Sequence, residues 1–210
     1  MDVSQTLGCI ETLAGMADIL CFTGHKALFG PQGTGGIIVN RQLDFKLVKT
    51  GGSGTNSFGA CQGMEMPEIF EAGTHNAHGL AGLQRGVEYI NNKGLSAIEE
   101  ITSRLLKAFL DGVKNIQGII IYGDNNAGSQ PRIPIAVINI GSMASGDVAL
   151  NLWESRQIAV RSGSHCAPLV HKFFKTEAQG MVRFSFSTFN TMEEVAIAVE
   201  ELKKIAERRS

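Results

Sequence analysis

The sequence predicts an α/β region over residues 1–94, followed by a small two-layer α+β domain over residues 95–210. Three observations carry this expectation. Two short apolar runs, Ala17-Asp18-Ile19-Leu20-Cys21-Phe22 and Gly36-Ile37-Ile38-Val39-Asn40, have the length and flanks of buried strands. Two long stretches of helical spacing come next, at about 76–91 and 95–115, with Gly94 between them. Beyond them, helices alternate with strands able to pair antiparallel, the pattern of a two-layer domain.

Taken in order, residues 10–17 have the small and apolar content of a short helix. Residues 43–63 are broken and glycine-rich and are expected to form a mobile surface loop. The helix over 76–91 carries Leu80, Leu83, Val87 and Ile90 at helical spacing. Gly79, Gly82 and Gly86 weaken it intrinsically but permit close packing. The helix over 95–115 presents Ile98, Ile101, Leu105, Ala108 and Phe109 as one apolar stripe. Then follow a strand over 119–122, a loop with Asp124-Asn125-Asn126-Ala127-Gly128, and a strand over 135–140. Ser145-Gly146-Asp147 starts a helix through Glu154, with strands at 158–160 and 181–186 after it. The chain closes on an amphipathic helix over 191–208, where Thr191 and Glu194 have the spacing of a capping box.

Composition narrows the function classes. With 43% hydrophobic and 19% charged residues, the 210-residue chain reads as an ordinary globular protein. A net charge of -1 gives no electrostatic case for nucleic acid or an anionic membrane. No apolar stretch approaches the roughly 20 residues of a membrane span, and Met1-Asp2-Val3-Ser4-Gln5 lacks the features of a signal peptide. Cys9, Cys21, Cys61 and Cys166 are scattered without a CxxC pair, so neither a zinc site nor a disulfide framework is expected, and a reducing cytoplasm is the default. Many of the 25 glycines fall near Lys26 and between Gly51 and Gly63, as loops shaped to approach a ligand closely would require.

Three stretches bear chemistry. Thr23-Gly24-His25-Lys26, backed by Gly30-Pro31-Gln32-Gly33-Thr34-Gly35-Gly36, holds a lysine on a tight loop between the two expected buried strands. Desolvation there would make the neutral amine available, as a Schiff-base nucleophile requires; the alternative is a surface turn whose lysine faces water. Arg161-Ser162-Gly163-Ser164-His165-Cys166 places a cysteine on a glycine- and serine-rich loop beside a histidine and an arginine, neighbours that favour a nucleophilic thiolate. Cys9, Cys21 and Cys61 read instead as small buried hydrophobes. Arg183 lies in an alternating strand, suited to bidentate capture of a carboxylate or else simply facing outward. Asp2 and Gln5 stand at the extreme N-terminus with no strand before them to position them. His75 and His78 lack a third ligand at a familiar spacing, so no metal is expected, and His171 with Lys172 is expected on the surface.

Together these stretches resemble a known family. Phe22-Thr23-Gly24-His25-Lys26, with Gly30-Pro31 and Gly33, resembles the cofactor-lysine motif of class V aminotransferase-fold enzymes, and Phe70-Glu71-Ala72-Gly73-Thr74 is similar to that family's next signature. Arg161-Ser162-Gly163 through His165-Cys166-Ala167 resembles the active-cysteine loop of cysteine desulfurases and selenocysteine lyases. Arg183 with Ser185, Asn190 and Thr191 is similar to their substrate-carboxylate strand and the turn after it. The likeness runs through essentially the whole chain in the right order. It implies that residues 1–94 are the C-terminal part of a type I pyridoxal-phosphate-transferase large domain, without the family's N-terminal part, and that residues 95–210 are its small domain.

The same resemblance implies roles. Lys26 would bond covalently to pyridoxal phosphate and shuttle the substrate's α-proton. Asp2 would pair with the pyridinium nitrogen and Gln5 with the ring hydroxyl. Thr23 and His25 would hold the phosphate, and Thr74 would reach the phosphate of a partner subunit's cofactor, which implies a homodimer. Arg183 would grip the carboxylate of L-cysteine. Cys166 would take its sulfur as a persulfide, releasing L-alanine, for passage to a sulfur-acceptor protein such as those of iron–sulfur cluster assembly. One departure is Ser164-His165-Cys166 where many such enzymes carry His-His-Cys. Two other readings stand beside this one: a different class V aminotransferase or lyase, and a catalytically silent fragment that only folds and oligomerises.

Overall fold

The first apolar run forms β1 (Ile19–Thr23) and the second β2 (Gly35–Val39), paired antiparallel with Ile19 opposite Val39 and Thr23 opposite Gly35. This is a computed structural model that describes residues 1–12, 14–54, 58–59, 61–123 and 132–208. The expected loop over 124–128 lies outside those residues. The chain falls into two compact units, Met1–Lys93 and Gly94–Ser210.

In the first unit the strands are less buried than their apolarity suggests. Leu20 is buried, but β2 is exposed up to the half-buried Val39. A two-stranded ribbon has too little surface of its own to cover both faces. The segment holding Asp2 runs parallel to β1: Cys21 N–H donates to the Met1 carbonyl at 2.9 Å and Val3 N–H to the Cys21 carbonyl at 2.8 Å. Asp2, expected to have no strand before it to position it, is fixed instead by backbone pairing to a strand that comes later in the chain. The helix expected over 10–17 is represented by a 3-10 turn at Ala14–Met16.

The lysine loop between the strands is closed by its own backbone. Gly24 N–H donates to the Thr34 carbonyl and Gly30 N–H to the Gly24 carbonyl, both at 2.8 Å, while Thr34 Oγ1 donates to the Pro31 carbonyl at 2.6 Å. The loop is pressed against α1 (Ala77–Lys93), whose glycines make the approach possible. A Cβ on Gly86 would overlap the Leu28 carbonyl oxygen, and one on Gly82 would stand 2.6 Å from Pro31 Cγ. Phe29 meets Tyr89 edge to face with ring centroids 5.4 Å apart. Within the stretch expected to be a mobile loop, Gln62 ties two described segments together. Its Oε1 accepts from Gly51 N–H at 3.1 Å and its Nε2 donates to the Glu68 carbonyl at 2.7 Å.

The second unit contains α2 (Leu95–Val113), β3 (Ile119–Tyr122), β4 (Ile135–Ile140), α3 (Ser145–Arg156), β5 (Arg161–Gly163), α4 (Pro168–Phe174), β6 (Met181–Ser185) and α5 (Met192–Glu207). The strands form an antiparallel sheet in the order β3-β4-β6-β5. Ala136, Ile138, Val182 and Phe184 point from one face into a core completed by Leu105, Leu106 and Phe109 of α2, Val148 and Leu152 of α3, and Leu202 of α5. The capping box forms: Glu194 N–H donates to Thr191 Oγ1 at 3.2 Å and Thr191 N–H donates back to Glu194 Oε2 at 2.9 Å.

Two elements differ from expectation. Residues 158–160 are not a strand; the pairing shifts to Arg161–Gly163, because these residues lie opposite Arg183, Val182 and Met181 on β6. The short helix α4, begun by Pro168, lies on the sheet face away from the main core, where Phe174 meets Tyr122 of β3 at 5.1 Å.

Candidate active site

The first unit holds six of the expected site residues. Asp2 faces β1 through its bridge to Cys21, two residues before Thr23. Its Oδ1 accepts from Ser4 N–H at 2.8 Å. Hydrogen bonds from Ser4 hold its carboxyl below the usual carboxylate range, and the positive charge of Lys26 helps. Thr23 closes β1, and its Oγ1 is buried with no hydrogen-bond partner. Gln5, His25, Lys26 and Thr74 are exposed. Exposure of Lys26 removes the expectation that it lies near a core: the glycine-rich loop that presents it is held by α1, while the lysine side chain itself faces outward.

These residues fit the cofactor that the resemblance implies. A buried hydroxyl without a partner costs free energy until an acceptor or donor meets it, and Thr23 Oγ1 is such a group at the end of β1. Asp2, kept ionised, is an acceptor suited to a protonated ring nitrogen. A Cβ on Gly30 would approach the Gly24 carbonyl to 2.8 Å, so the closed form of the loop requires small residues there.

In the second unit, the expected thiol and arginine share one side of the sheet. Register places Tyr122, Val137, Arg183 and Arg161 in a row on the face opposite the core. Arg161 stands directly across from Arg183, a like-charge pair that is unfavourable unless an anion lies between or beside them. Arg183 is half-buried, and its Nε has no partner. Burial first, and Arg161 second, push its guanidinium toward losing its charge, while Cys166 opposes this. Arg161 Nη2 donates to Cys166 Sγ at 3.5 Å.

The cysteine loop is a strained turn. His165 and Cys166 both take left-handed backbone, with φ of 52° and 59°. Ala167 N–H closes the turn onto the Ser164 carbonyl at 2.9 Å, and His165 Nε2 bonds the Met181 carbonyl at 2.9 Å. Since a carbonyl only accepts, Nε2 carries the proton and Nδ1 is the bare nitrogen; Nδ1 is buried without a partner. Burial pushes the imidazole pKa down, the Met181 bond opposes it, and Arg183, Arg161 and His171 add to the lowering.

Several expectations are corrected here. His171 is not a surface residue: it is 3% exposed, with Thr176 Oγ1 at 2.9 Å from its Nδ1, because α4 turns it under the cysteine loop toward His165. Cys21 and Cys61 are exposed rather than buried, since neither lies on an element with a second covering layer, and Cys9 is half-buried with its thiol pKa raised by burial. Sequence reasoning missed Asn139, 1% exposed, whose Nδ2 donates to the Gly180 carbonyl at 2.9 Å and to Tyr122 Oη at 3.2 Å. The one signal was a polar residue within the apolar run of β4. Among the described residues, no three or more His, Cys, Asp or Glu are grouped to hold a metal, and no helix is long and apolar enough to cross a membrane.

Each unit by itself thus carries one reactive group: the first an exposed lysine on a loop closed by its own backbone, the second a thiol within reach of a guanidinium on the sheet face away from the core. The aminotransferase class-V family model matches residues 1–197, and the chain belongs to this family. Among curated relatives, a probable cysteine desulfurase of Pyrococcus abyssi is 34% identical over 97% of this chain and 52% of the relative. One of the same description from Methanothermobacter thermautotrophicus is 35% identical over 98% of this chain and 52% of its own length. The apo structure of a cysteine desulfurase from Thermococcus onnurineus superposes with a TM-score of 0.85 at 32% identity, covering 99% of this chain and 52% of that one. A cysteine desulfurase of Escherichia coli shares the fold at a TM-score of 0.78 and 21% identity. The chain spans about half the length of the curated relatives it matches.

Proposed function

We propose that this chain carries the lysine and sulfur-accepting part of a pyridoxal-phosphate-dependent cysteine desulfurase, converting L-cysteine to L-alanine with transfer of sulfur to Cys166. The observation that carries the reading is the sulfur of Cys166 under a donating Arg161, on the same face as the unpartnered Arg183 Nε. The relatives named above support it.

When bound, pyridoxal phosphate supplies an electron sink for charge developing on the substrate's Cα. Lys26, an exposed amine, would hold the cofactor covalently and would carry the α-proton. Asp2 is the carboxylate for the ring nitrogen, Gln5 the donor for the ring hydroxyl, and Thr23 and His25 the phosphate ligands. Thr74 serves the phosphate of a second copy's cofactor, so the working unit is a homodimer. Arg183 binds the substrate carboxylate with its planar fork. The Cys166 sulfur bonds to the substrate sulfur as the substrate's C–S bond breaks, and the carbon released takes a proton. The net exchange is thiol plus cysteine to persulfide plus alanine. The persulfide is then passed to a sulfur-acceptor protein, in the reducing cytoplasm where such thiols persist.

The test supplies the chain with pyridoxal phosphate and L-cysteine and follows alanine together with the mass of the Cys166 peptide. Alanine and a one-sulfur mass gain on Cys166 are expected, both lost in Lys26→Ala. Alanine formation unchanged in Cys166→Ser would contradict the sulfur-transfer role and leave an amino-acid lyase. No cofactor uptake at any concentration would contradict the whole reading.

A further inference from the structure

The turn that carries Cys166 contains two consecutive non-glycine residues in left-handed backbone, His165 at φ 52° and Cys166 at φ 59°. Such residues are unfavourable and persist only where surrounding contacts hold them. Backbone closure from Ala167 to Ser164 accounts for the turn but not for which way the sulfur points. The side-chain bond that anchors the turn to β6 is that of His165 Nε2 to the Met181 carbonyl, at 2.9 Å. Met181 lies opposite Gly163 on β6, two residues from Arg183. The tether thus joins the cysteine turn to the strand that carries the substrate-facing arginine. The ring is half-buried and packs near His171 of α4 with centroids 6.0 Å apart. The charged or titratable groups facing it are Arg161 from β5, Arg183 from β6 and His171 from α4, two of them permanent cations that disfavour an added positive charge on the ring.

We propose that His165 is a positioning residue for the reacting sulfur: its ring, tethered to Met181, holds the left-handed turn so that Cys166 Sγ stays in reach of the Arg161 guanidinium. Without the tether, relaxation of the two φ angles swings the thiol away from its donor. The inference rests on the reading of Cys166 as the sulfur acceptor, but it concerns the geometry of the thiol alone and needs neither cofactor nor substrate for its test.

The experiment measures the rate at which iodoacetamide alkylates Cys166 in the full chain, by peptide mass, for His165→Gln, His165→Asn, His165→Ala, Arg161→Gln and the double variant His165→Ala/Arg161→Gln. An exposed charge-assisted contact of this kind corresponds to about a two- to fivefold rate difference. His165→Ala and His165→Asn are expected to lose that factor. His165→Gln, whose amide nitrogen reaches about as far as Nε2, is expected to keep the wild-type rate without any titrating ring. The effects of His165→Ala and Arg161→Gln are not expected to multiply, because both remove the same contact. A wild-type rate in His165→Ala, or a double variant slower by the product of the two factors, would overturn the proposal. Should His165→Ala fold poorly, the comparison of Gln with Asn decides: equal rates for these two would equally overturn it. Loss of alanine formation with this pattern intact would refute the desulfurase reading and leave the positioning role standing.

Discussion

Gly86 offers the sharpest test of how the lysine loop is held. In an ordinary helix interior, glycine to alanine gains up to about 1 kcal/mol from helix propensity alone. At Gly86 the added Cβ would overlap the Leu28 carbonyl oxygen, with Phe29 C at 3.0 Å and Leu28 C at 3.2 Å. These are backbone atoms of the loop two and three residues past Lys26, so no side-chain rotation relieves the overlap. Overpacking of this kind costs about 1–3 kcal/mol, which exceeds the gain and leaves Gly86→Ala destabilised by about 1 kcal/mol. The loss falls first on the loop, where Phe29 N–H donates to the Lys26 carbonyl at 3.0 Å and Gly30 N–H to the Gly24 carbonyl at 2.8 Å. Native-state hydrogen exchange at these two amides is expected to speed up about fivefold. Gly146, near the start of α3, has open space where an added methyl would stand, with nothing within 4 Å. Gly146→Ala is therefore the matched control and is expected to stabilise by a few tenths of a kcal/mol. Unchanged exchange at Phe29 and Gly30 in Gly86→Ala, or a stability gain like that of the control, would refute the close approach of helix and loop.

Three further outcomes follow from the second unit and the thiols. Leu202 is fully buried in the core of the second unit, so Leu202→Ala is expected to cost about 2–5 kcal/mol in denaturant unfolding. The carboxyl of Glu201 is held low chiefly by Lys204 at 2.8 Å, with Arg156 adding a bond at 3.2 Å from α3, while its burial opposes them. A depressed carboxylate contributes stability above its unfolded value, near 4.5, and loses it as pH falls, so acid unfolding of Lys204→Ala should begin at a higher pH than in the wild type. Under limiting alkylation Cys166 is expected to react before Cys21 and Cys61, which are also exposed, and Cys9 last because burial raises its thiol; equal labelling of all four would remove the case that Arg161 activates the sulfur.

Elements with a strong local signal were legible in the sequence. The apolar runs of β3 and β4 are found over Ile119–Tyr122 and Ile135–Ile140, as expected, and the periodic stripes gave α1, α2 and α5. What was not legible depends on distant partners. Arg161-Ser162-Gly163 has no apolar alternation and becomes β5 only because β6 offers it an edge. The seven residues of α4 are too few to show a period, and with that helix went the burial of His171. Asp2 looked unsupported because its support, the backbone of Cys21, lies on a later strand. For the site, Lys26, Cys166 and Arg183 stood out through their motifs, whereas the pairing of Arg161 with Arg183 and the tether of His165 to Met181 are cross-strand relations that no local pattern displays.

The assignment of Lys26 as the attachment point is tested most directly by loading the chain with pyridoxal phosphate, reducing with borohydride and mapping the modified peptides. The expected result is stable labelling confined to Lys26, lost in Lys26→Ala and weakened in Asp2→Asn. Label spread evenly over exposed lysines such as Lys46 and Lys49, or none at all, would contradict it.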